Sequence, residues 1–251
     1  MTDEQYTAAR FGEMAEQCYA RGRYVYSDFL SPAEQELFFR ATQDFSYVPC
    51  TLSGGTEGCE RQMVRFGDEE TLGYAPEPFP IVCLRVFPRA PKFAEPFDHR
   101  DVLGACLHLG VERRCLGDIL LRDGGAFVFC TPTVAPLLCA ELVRVKRTDV
   151  CVGEAPPPAA AYARTEEMVF SCSSERLDGL CAGVFHLSRG DAADLFSGGR
   201  VFVNGRLCEK GERAARAGEI ISVRGHGRFL YDGAEGVSRK GKLRVRVRVY
   251  R

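Results

Sequence analysis

The stretch from Glu175 to Phe229 constrains this chain most, because it spells a complete small unit in local signals alone. Leu177, Leu180, Cys181, Val184 and Phe185 recur at helical spacing on one face, and Ser174 stands where it could cap that helix. A second helix opens at Ser188, with Asp191 three residues on as a short capping box and Ala192, Leu195 and Phe196 as its buried face. Gly198-Gly199 stop it, since glycine takes the left-handed conformation without a Cβ penalty. Val201–Val203 and Arg206–Cys208 then flank Asn204-Gly205, a strong two-residue hairpin signal. Arginines punctuate the junctions: Arg176, Arg189, Arg200, Arg206, Arg224 and Arg228.

This helix–helix–hairpin order resembles the S4 RNA-binding domain. The pieces that carry the resemblance are Arg176-Leu177-Asp178, Leu187-Ser188-Arg189, Gly199-Arg200-Val201 leading to Asn204-Gly205, and the return strand Ile220 to Gly225. It implies that the Ser188–Gly199 helix and the loop after it lie on structured RNA. By match to the pattern, Arg176, Ser188, Arg189, Arg200, Asn204, Arg206 and Lys210 are candidate RNA contacts, and Arg224 and Arg228 at the return strand join them. Asn204 is a turn residue first and a ligand second. The chemistry agrees: RNA helices are bound by shape, phosphate and 2′-hydroxyl, which calls for guanidinium groups and helix N-termini.

Charge separates that end from the rest. Residues 164–251 hold 17 Lys/Arg against 11 Asp/Glu, whereas residues 1–163 hold 16 against 23, within an overall net charge of −1. A basic end on an acidic body fits a polyanion partner at one end. The twelve cysteines include no Cys-x-x-Cys pair, and the four histidines accompany no cysteine couple. No secretory signal and no apolar run near membrane-spanning length is visible. The expectation is a cytoplasmic, reduced protein with no membrane partner, no metal and no cofactor.

Toward the N-terminus, residues 1–22 predict an amphipathic helix with Phe11, Met14, Ala15, Cys18 and Tyr19 on one face. Ser31-Pro32-Ala33-Glu34 joins a capping box to a first-turn proline, opening a second helix with Leu37 and Phe38 inward. Tyr47–Leu52 and Gln62–Phe66 predict strands around a glycine loop at residues 53–58. That loop lacks the Gly-Lys-Ser/Thr ending of a phosphate-binding loop and is expected to be a plain turn. Asp68–Pro80 predicts a linker.

From Ile81 the order becomes β-α-β-β-α-β: strands at Ile81–Phe87, Asp118–Leu121, Ala126–Cys130 and Thr148–Val152, with helices from Asp98 to Leu109 and over Thr133–Val143. That is the order of a ferredoxin-like unit of the kind RNA-recognition motifs use. The third strand keeps Phe127 and Val128 of the aromatic signature, but Gly125 and Cys130 stand where rings would be. Direct base stacking is therefore not expected there. His99 between Asp98 and Asp101 could act as a general base; acids at a helix N-terminus explain the motif more simply.

Gly153–Arg164 is a proline- and alanine-rich linker. After Phe229 comes a glycine-bearing loop with Arg239-Lys240-Gly241-Lys242. The closing Leu243–Tyr250 strand alternates Leu243, Val245, Val247 and Val249 with Arg244, Arg246 and Arg248, which predicts either one cationic face or a protected sheet edge.

Taken together, the glycine loop followed by Glu60-Arg61, His99-Arg100-Asp101-x-Leu-Gly104, Gly117-Asp118-Ile119 and the S4-like end resemble the bacterial YlmH family. The resemblance implies an N-terminal α/β piece, an RNA-recognition-like middle domain and a C-terminal S4 domain. It also implies binding to ribosomal RNA of the large subunit and to peptidyl-tRNA, alongside other ribosome-rescue factors, during rescue of stalled translation.

The expected fold is thus α+β, divided into residues 1–75, a βαββαβ domain at 76–155, a linker at 156–167 and an S4 domain at 168–251. The expected activity is binding without catalysis. Two rivals are an RNA-modifying enzyme of the pseudouridine synthase kind, suggested by Arg176-Leu177-Asp178, and an interaction protein of cell division. Only 73 residues follow Asp178, too few for the large catalytic sheet of the former.

Overall fold

The computed structural model describes residues 3–159, 165–237 and 241–250. The chain divides into two compact units, residues 1–161 and 162–251. It is mixed α+β with three antiparallel sheets among the described residues.

The first unit opens with α1 (Asp3–Arg21), β1 (Val25–Tyr26), α2 (Pro32–Ala41), β2 (Cys50–Ser53), β3 (Met63–Phe66) and a one-turn α3 (Glu69–Leu72). The three strands pair in the order β1-β3-β2. Phe38 is the centre of this core, edge-on to Phe11 at 5.4 Å and to Phe66 at 6.0 Å. The Ser31 capping box forms as expected, its hydroxyl accepting from Glu34 N while the Glu34 carboxylate accepts from Ser31 N. Of the face predicted for α1, Phe11, Ala15 and Cys18 are buried; Tyr19 is exposed and leans on Tyr47 instead.

Next come β4 (Val82–Pro88), α4 (His99–His108), β5 (Leu116–Arg122), β6 (Gly125–Cys130), α5 (Ala135–Glu141), β7 (Arg144–Val145) and β8 (Thr148–Glu154). The sheet runs β5-β6-β4-β8-β7. Leu84, Val86, Val128 and Val150 face Val102 and Cys106 of α4 and Leu138 of α5. Asp98 and Asp101 are spent as a reciprocal cap: Asp98 accepts from the N–H groups of Arg100 and Asp101, and Asp101 accepts from Asp98 N. The Asp98 N–H, and then Lys146 at 2.8 Å, hold the Asp101 carboxyl below its ordinary range.

Within this unit one arginine joins the two sheets. Arg61 donates through Nε to Leu116 O (2.9 Å) and through Nη2 to Phe29 O (2.8 Å) and Arg113 O (3.2 Å). Asp118 completes the joint by accepting from the N–H groups of Glu60 (2.6 Å) and Arg61 (3.0 Å). Burial lowers the Arg61 pKa to about 10. The glycine loop before it packs on the second sheet, and a Cβ at Gly55 would come within 2.7 Å of the Phe129 ring.

The second unit holds β9 (Thr165–Cys172), α6 (Leu177–Phe185), α7 (Arg189–Ser197), β10 (Val201–Val203), β11 (Arg206–Leu207), β12 (Ile220–Val223), β13 (Gly227–Val237) and β14 (Leu243–Tyr250). Its sheet order is β11-β10-β12-β13-β14-β9. Leu177, Leu180, Cys181, Val184, Leu195 and Phe196 pack on Val201, Ile221, Phe229, Tyr231, Val245 and Val247. Gly183 lets β9 approach α6, since a Cβ there would lie 2.2 Å from the Phe170 ring.

Three expectations change here. Ser174 does not cap α6; Arg176 holds the N-cap position, and Leu177 N and Asp178 N donate to Arg213 O and Gly211 O, so backbone carbonyls do the capping. The segment after Phe229 is not a loop but the rest of an eleven-residue strand, bulged at Tyr231/Gly233 and Ala234/Gly236. Finally, β14 is not an edge: β9, which local patterning did not announce, pairs with it from Leu243↔Cys172 to Tyr250↔Thr165. Arg239 and Lys240 of the basic run lie outside the described residues.

Candidate nucleic-acid interface

The second unit gathers the predicted arginines in two places. The first is a groove between β9 and α6, of about 540 Å³, whose lining includes Ser171, Ser174, Arg176, Asp178, Arg189 and Lys242. Ser188 caps α7 by accepting from Asp191 N (3.1 Å) and donates to the Asp191 carboxylate (2.7 Å). That cap leaves Arg189, the first residue of α7, exposed. Arg176 grips Asp178 through Nε (3.1 Å) and Nη2 (2.6 Å). The Arg176 bond holds the Asp178 carboxyl below its ordinary range, and the same bond raises the Arg176 pKa. Lys242 was absent from the candidates; the basic run at residues 239–242 was the signal that could have included it.

The second place is the far end of α7. Arg200 follows the Gly198-Gly199 stop, and its Nη2 donates to Arg224 O (2.8 Å) while Arg224 N donates to Arg200 O (2.9 Å). The Arg224 guanidinium sits over the Phe202 ring, 4.7 Å from its centroid. Both arginines are exposed. Each guanidinium is thus held, that of Arg200 on the Arg224 carbonyl and that of Arg224 on the Phe202 ring, with less side-chain freedom left to lose on binding a phosphate.

The hairpin lies beyond. Asn204 (φ 50°) and Gly205 (φ 80°) make the expected turn, and Asn204 Oδ1 accepts from Ile220 N at 2.9 Å, a structural task. Arg206 and Lys210 are exposed. Arg228 is not with the others: it is 7% exposed, and its Nε donates to Ser222 Oγ at 3.0 Å.

The arginine face of β14 is largely neutralised. Arg248 makes a forked pair with Asp232 (2.7 Å), and Arg246 pairs with Glu235 and with Glu167 (3.5 Å). Arg244 stands 4.0 Å from Glu235. The cationic stripe expected from alternation is thus a set of cross-strand ion pairs.

In class, this is a multi-sheet α+β protein with an RNA-binding type of domain at its middle: residues 78–157 match the family model described as the putative RNA-binding domain in YlmH. That match and one relative carry the chain's resemblance to the YlmH family. Over 231 residues, covering 89% of this chain and 86% of the other, it is 28% identical to the ribosome-associated protein quality control protein P2 of Bacillus subtilis. Its fold is similar to that of the cell division protein ylmH from Streptococcus pneumoniae, with a TM-score of 0.50 and 21% identity over 62% of this chain and 93% of that one. Among the described residues, no helix is long and apolar enough to cross a membrane, and no three His, Cys, Asp or Glu residues group as metal ligands.

Proposed function

We propose that this chain is a ribosome-associated RNA-binding protein of the cytoplasm. Its 162–251 unit acts as an S4 domain on ribosomal RNA of the large subunit, beside a peptidyl-tRNA, in the quality control of stalled translation. It acts by occupancy rather than by chemistry. The observation that carries this reading is the pair of exposed cationic places at opposite ends of α7, Arg189 with its capped N-terminus and the Arg200–Arg224 clasp. Nine residues of α7 rise about 13 Å at 1.5 Å each, so the two places can meet phosphates on both sides of an RNA groove. Support also comes from the helix–helix–hairpin order, the RNA-binding model matched at residues 78–157 and the ribosome-associated relative. In the same reading the β4–β8 region is a ferredoxin-like domain, with β5-β6-β4-β8 as its four strands.

Asp178 has a structural occupation in this reading, bonded to Arg176 and to Gly179 N in the first turn of α6. The test is cosedimentation of the full chain with ribosomal subunits. The native protein is expected with large subunits and to be released by salt, and the Arg189→Ala/Arg200→Ala variant is expected to stay at the top of the gradient. Cosedimentation of that variant at native levels overturns the assignment. Mapping ribosomal RNA modifications tests occupancy. A modification lost with the gene and not restored by Asp178→Asn would make the protein an enzyme.

A further inference from the structure

The second sheet of the 1–161 unit has one face against α4 and α5 and another that carries Arg85, Phe87 and Phe127. On β4, Leu84 and Val86 point to the helices, so Cys83, Arg85 and Phe87 take the opposite side; on β6, Ala126 and Val128 point to the helices and Phe127 does not. Arg85 lies in register with Phe127 on one side and Gly153 of β8 on the other. Its guanidinium carbon is 5.8 Å from the Phe87 centroid and 5.8 Å from the Phe127 centroid. Phe87 is 42% exposed, Arg85 is exposed, and the space where a Gly153 side chain would stand is open. Phe129, two residues beyond Phe127 on the same side, is fully buried, with the glycine loop on it through Gly55. The platform therefore has a wall at one end and a glycine floor beside its arginine.

We propose that this face stacks the bases of a single-stranded RNA segment, with Phe87 and Phe127 as its ring platforms and Arg85 as the cation between them. The inference rests on the RNA-binding reading of residues 78–157 and adds to it a surface and a ligand class. Unpaired bases stack on aromatic and guanidinium planes displayed by antiparallel sheets, and each such contact is sequence-tolerant because every base has a π-face. A guanidinium already lodged between two rings is held by cation–π attraction and is ready to meet both a base and its phosphate. Of the two positions that argued against stacking in the sequence, Cys130 lies on the other face, and Gly125 lies on this one but supplies no ring. Cys130 is fully buried in the helix-side core, so a ring there would not reach RNA. At Gly125 a Cβ would come within 2.4 Å of Val86 O, so that position is closed to any ring by the backbone. The ring that matters, Phe87, comes from a different strand.

Fluorescence anisotropy of the full-length protein with a labelled single-stranded heptauridylate, and separately with an RNA hairpin, tests the assignment. Phe87→Ala and Phe87→Leu are expected to weaken heptauridylate binding by about fivefold or more, the scale of one lost base stack. Phe87→Tyr, which keeps the plane, is expected to stay within about twofold, and Arg85→Ala to weaken binding as Phe87→Ala does. Hairpin binding is expected to be unchanged by all four and lowered by Arg189→Ala/Arg200→Ala. Because Leu preserves the apolar contact of a half-exposed ring, loss of folding does not imitate loss of stacking. Native heptauridylate affinity in Phe87→Leu refutes the proposal and leaves the face to a protein partner, whatever the hairpin shows. Loss of hairpin binding alone, in the arginine variant, concerns only the C-terminal reading.

Discussion

The salt dependence of RNA binding distinguishes which arginines touch phosphate, and the structure sets its size. Arg228 is buried on Ser222, and Arg246 and Arg248 are paired with acids across the sheet. Arg176 is engaged by Asp178. Arg189, Arg200, Arg206, Lys210 and Arg224, all exposed, are the five side chains expected to meet phosphate. Each phosphate contact adds roughly 0.7–0.9 to the slope of log affinity against log salt, so five contacts give about 3.5–4.5. Raising salt from 50 to 200 mM should then weaken binding about 130- to 500-fold. Anisotropy with a structured RNA across that range measures the slope, and Arg189→Ala should lower it by roughly 0.7–0.9. In the same variant the affinity at fixed salt should fall by about 1–2 kcal/mol, the scale of a charge-assisted contact. A slope near 7 would mean that the β14 arginines leave their carboxylates to bind RNA, and a slope below about 1.5 would mean that phosphate contact does not drive binding; either refutes the reasoning.

Leu195→Ala should destabilise the protein by about 2–5 kcal/mol in urea unfolding, because Leu195 is 4% exposed in the α6–α7 core and its loss leaves a cavity. Arg61→Met should cost about 1–3 kcal/mol of stability and raise hydrogen exchange at the contact between the first two sheets, since three carbonyls lose a charged donor while the charge no longer has to be buried. Asp178, with its pKa held down by Arg176, stabilises the fold above its unfolded value and loses that contribution as pH falls below about 4; Asp178→Asn should flatten this part of the acid-unfolding curve.

The features that could be read in the sequence were those whose partners lie within a few residues. The Ser31–Glu34 and Asp98–Asp101 boxes and the Asn204-Gly205 turn each close on themselves, so local chemistry decides them. What escaped depended on distant partners. Strand β9 is written Thr-Glu-Glu-Met-Val-Phe-Ser-Cys, with no clean alternation, and it is held by pairing with β14 more than seventy residues later. Ser174 looked like a cap because nothing nearby revealed that Arg213 O and Gly211 O would receive the first N–H groups of α6.

Long-range pairing also decides which positive charges remain available, and this bears on function more than the count of arginines does. The alternation of Leu243–Tyr250 correctly places Val245, Val247 and Val249 in the core, and it correctly puts the arginines on the other face. It cannot show that Glu167, Asp232 and Glu235 arrive on the neighbouring strands and meet those arginines. Releasing a guanidinium from a forked carboxylate to bind a phosphate exchanges one charge-assisted pair for another, with little net gain. The cations at the ends of α7 are less engaged: the Arg189 head is exposed and meets Asp178 only through space, and Arg200 is held by a neutral carbonyl that leaves its charge unspent. In the proposed function, the excess of six positive charges over residues 164–251 is therefore expected to act from the helix ends rather than from the arginine-rich strand. Arg248→Ala, which leaves Asp232 without its cation, should accordingly change RNA affinity less than Arg189→Ala does. A larger loss in Arg248→Ala would move the interface onto β14.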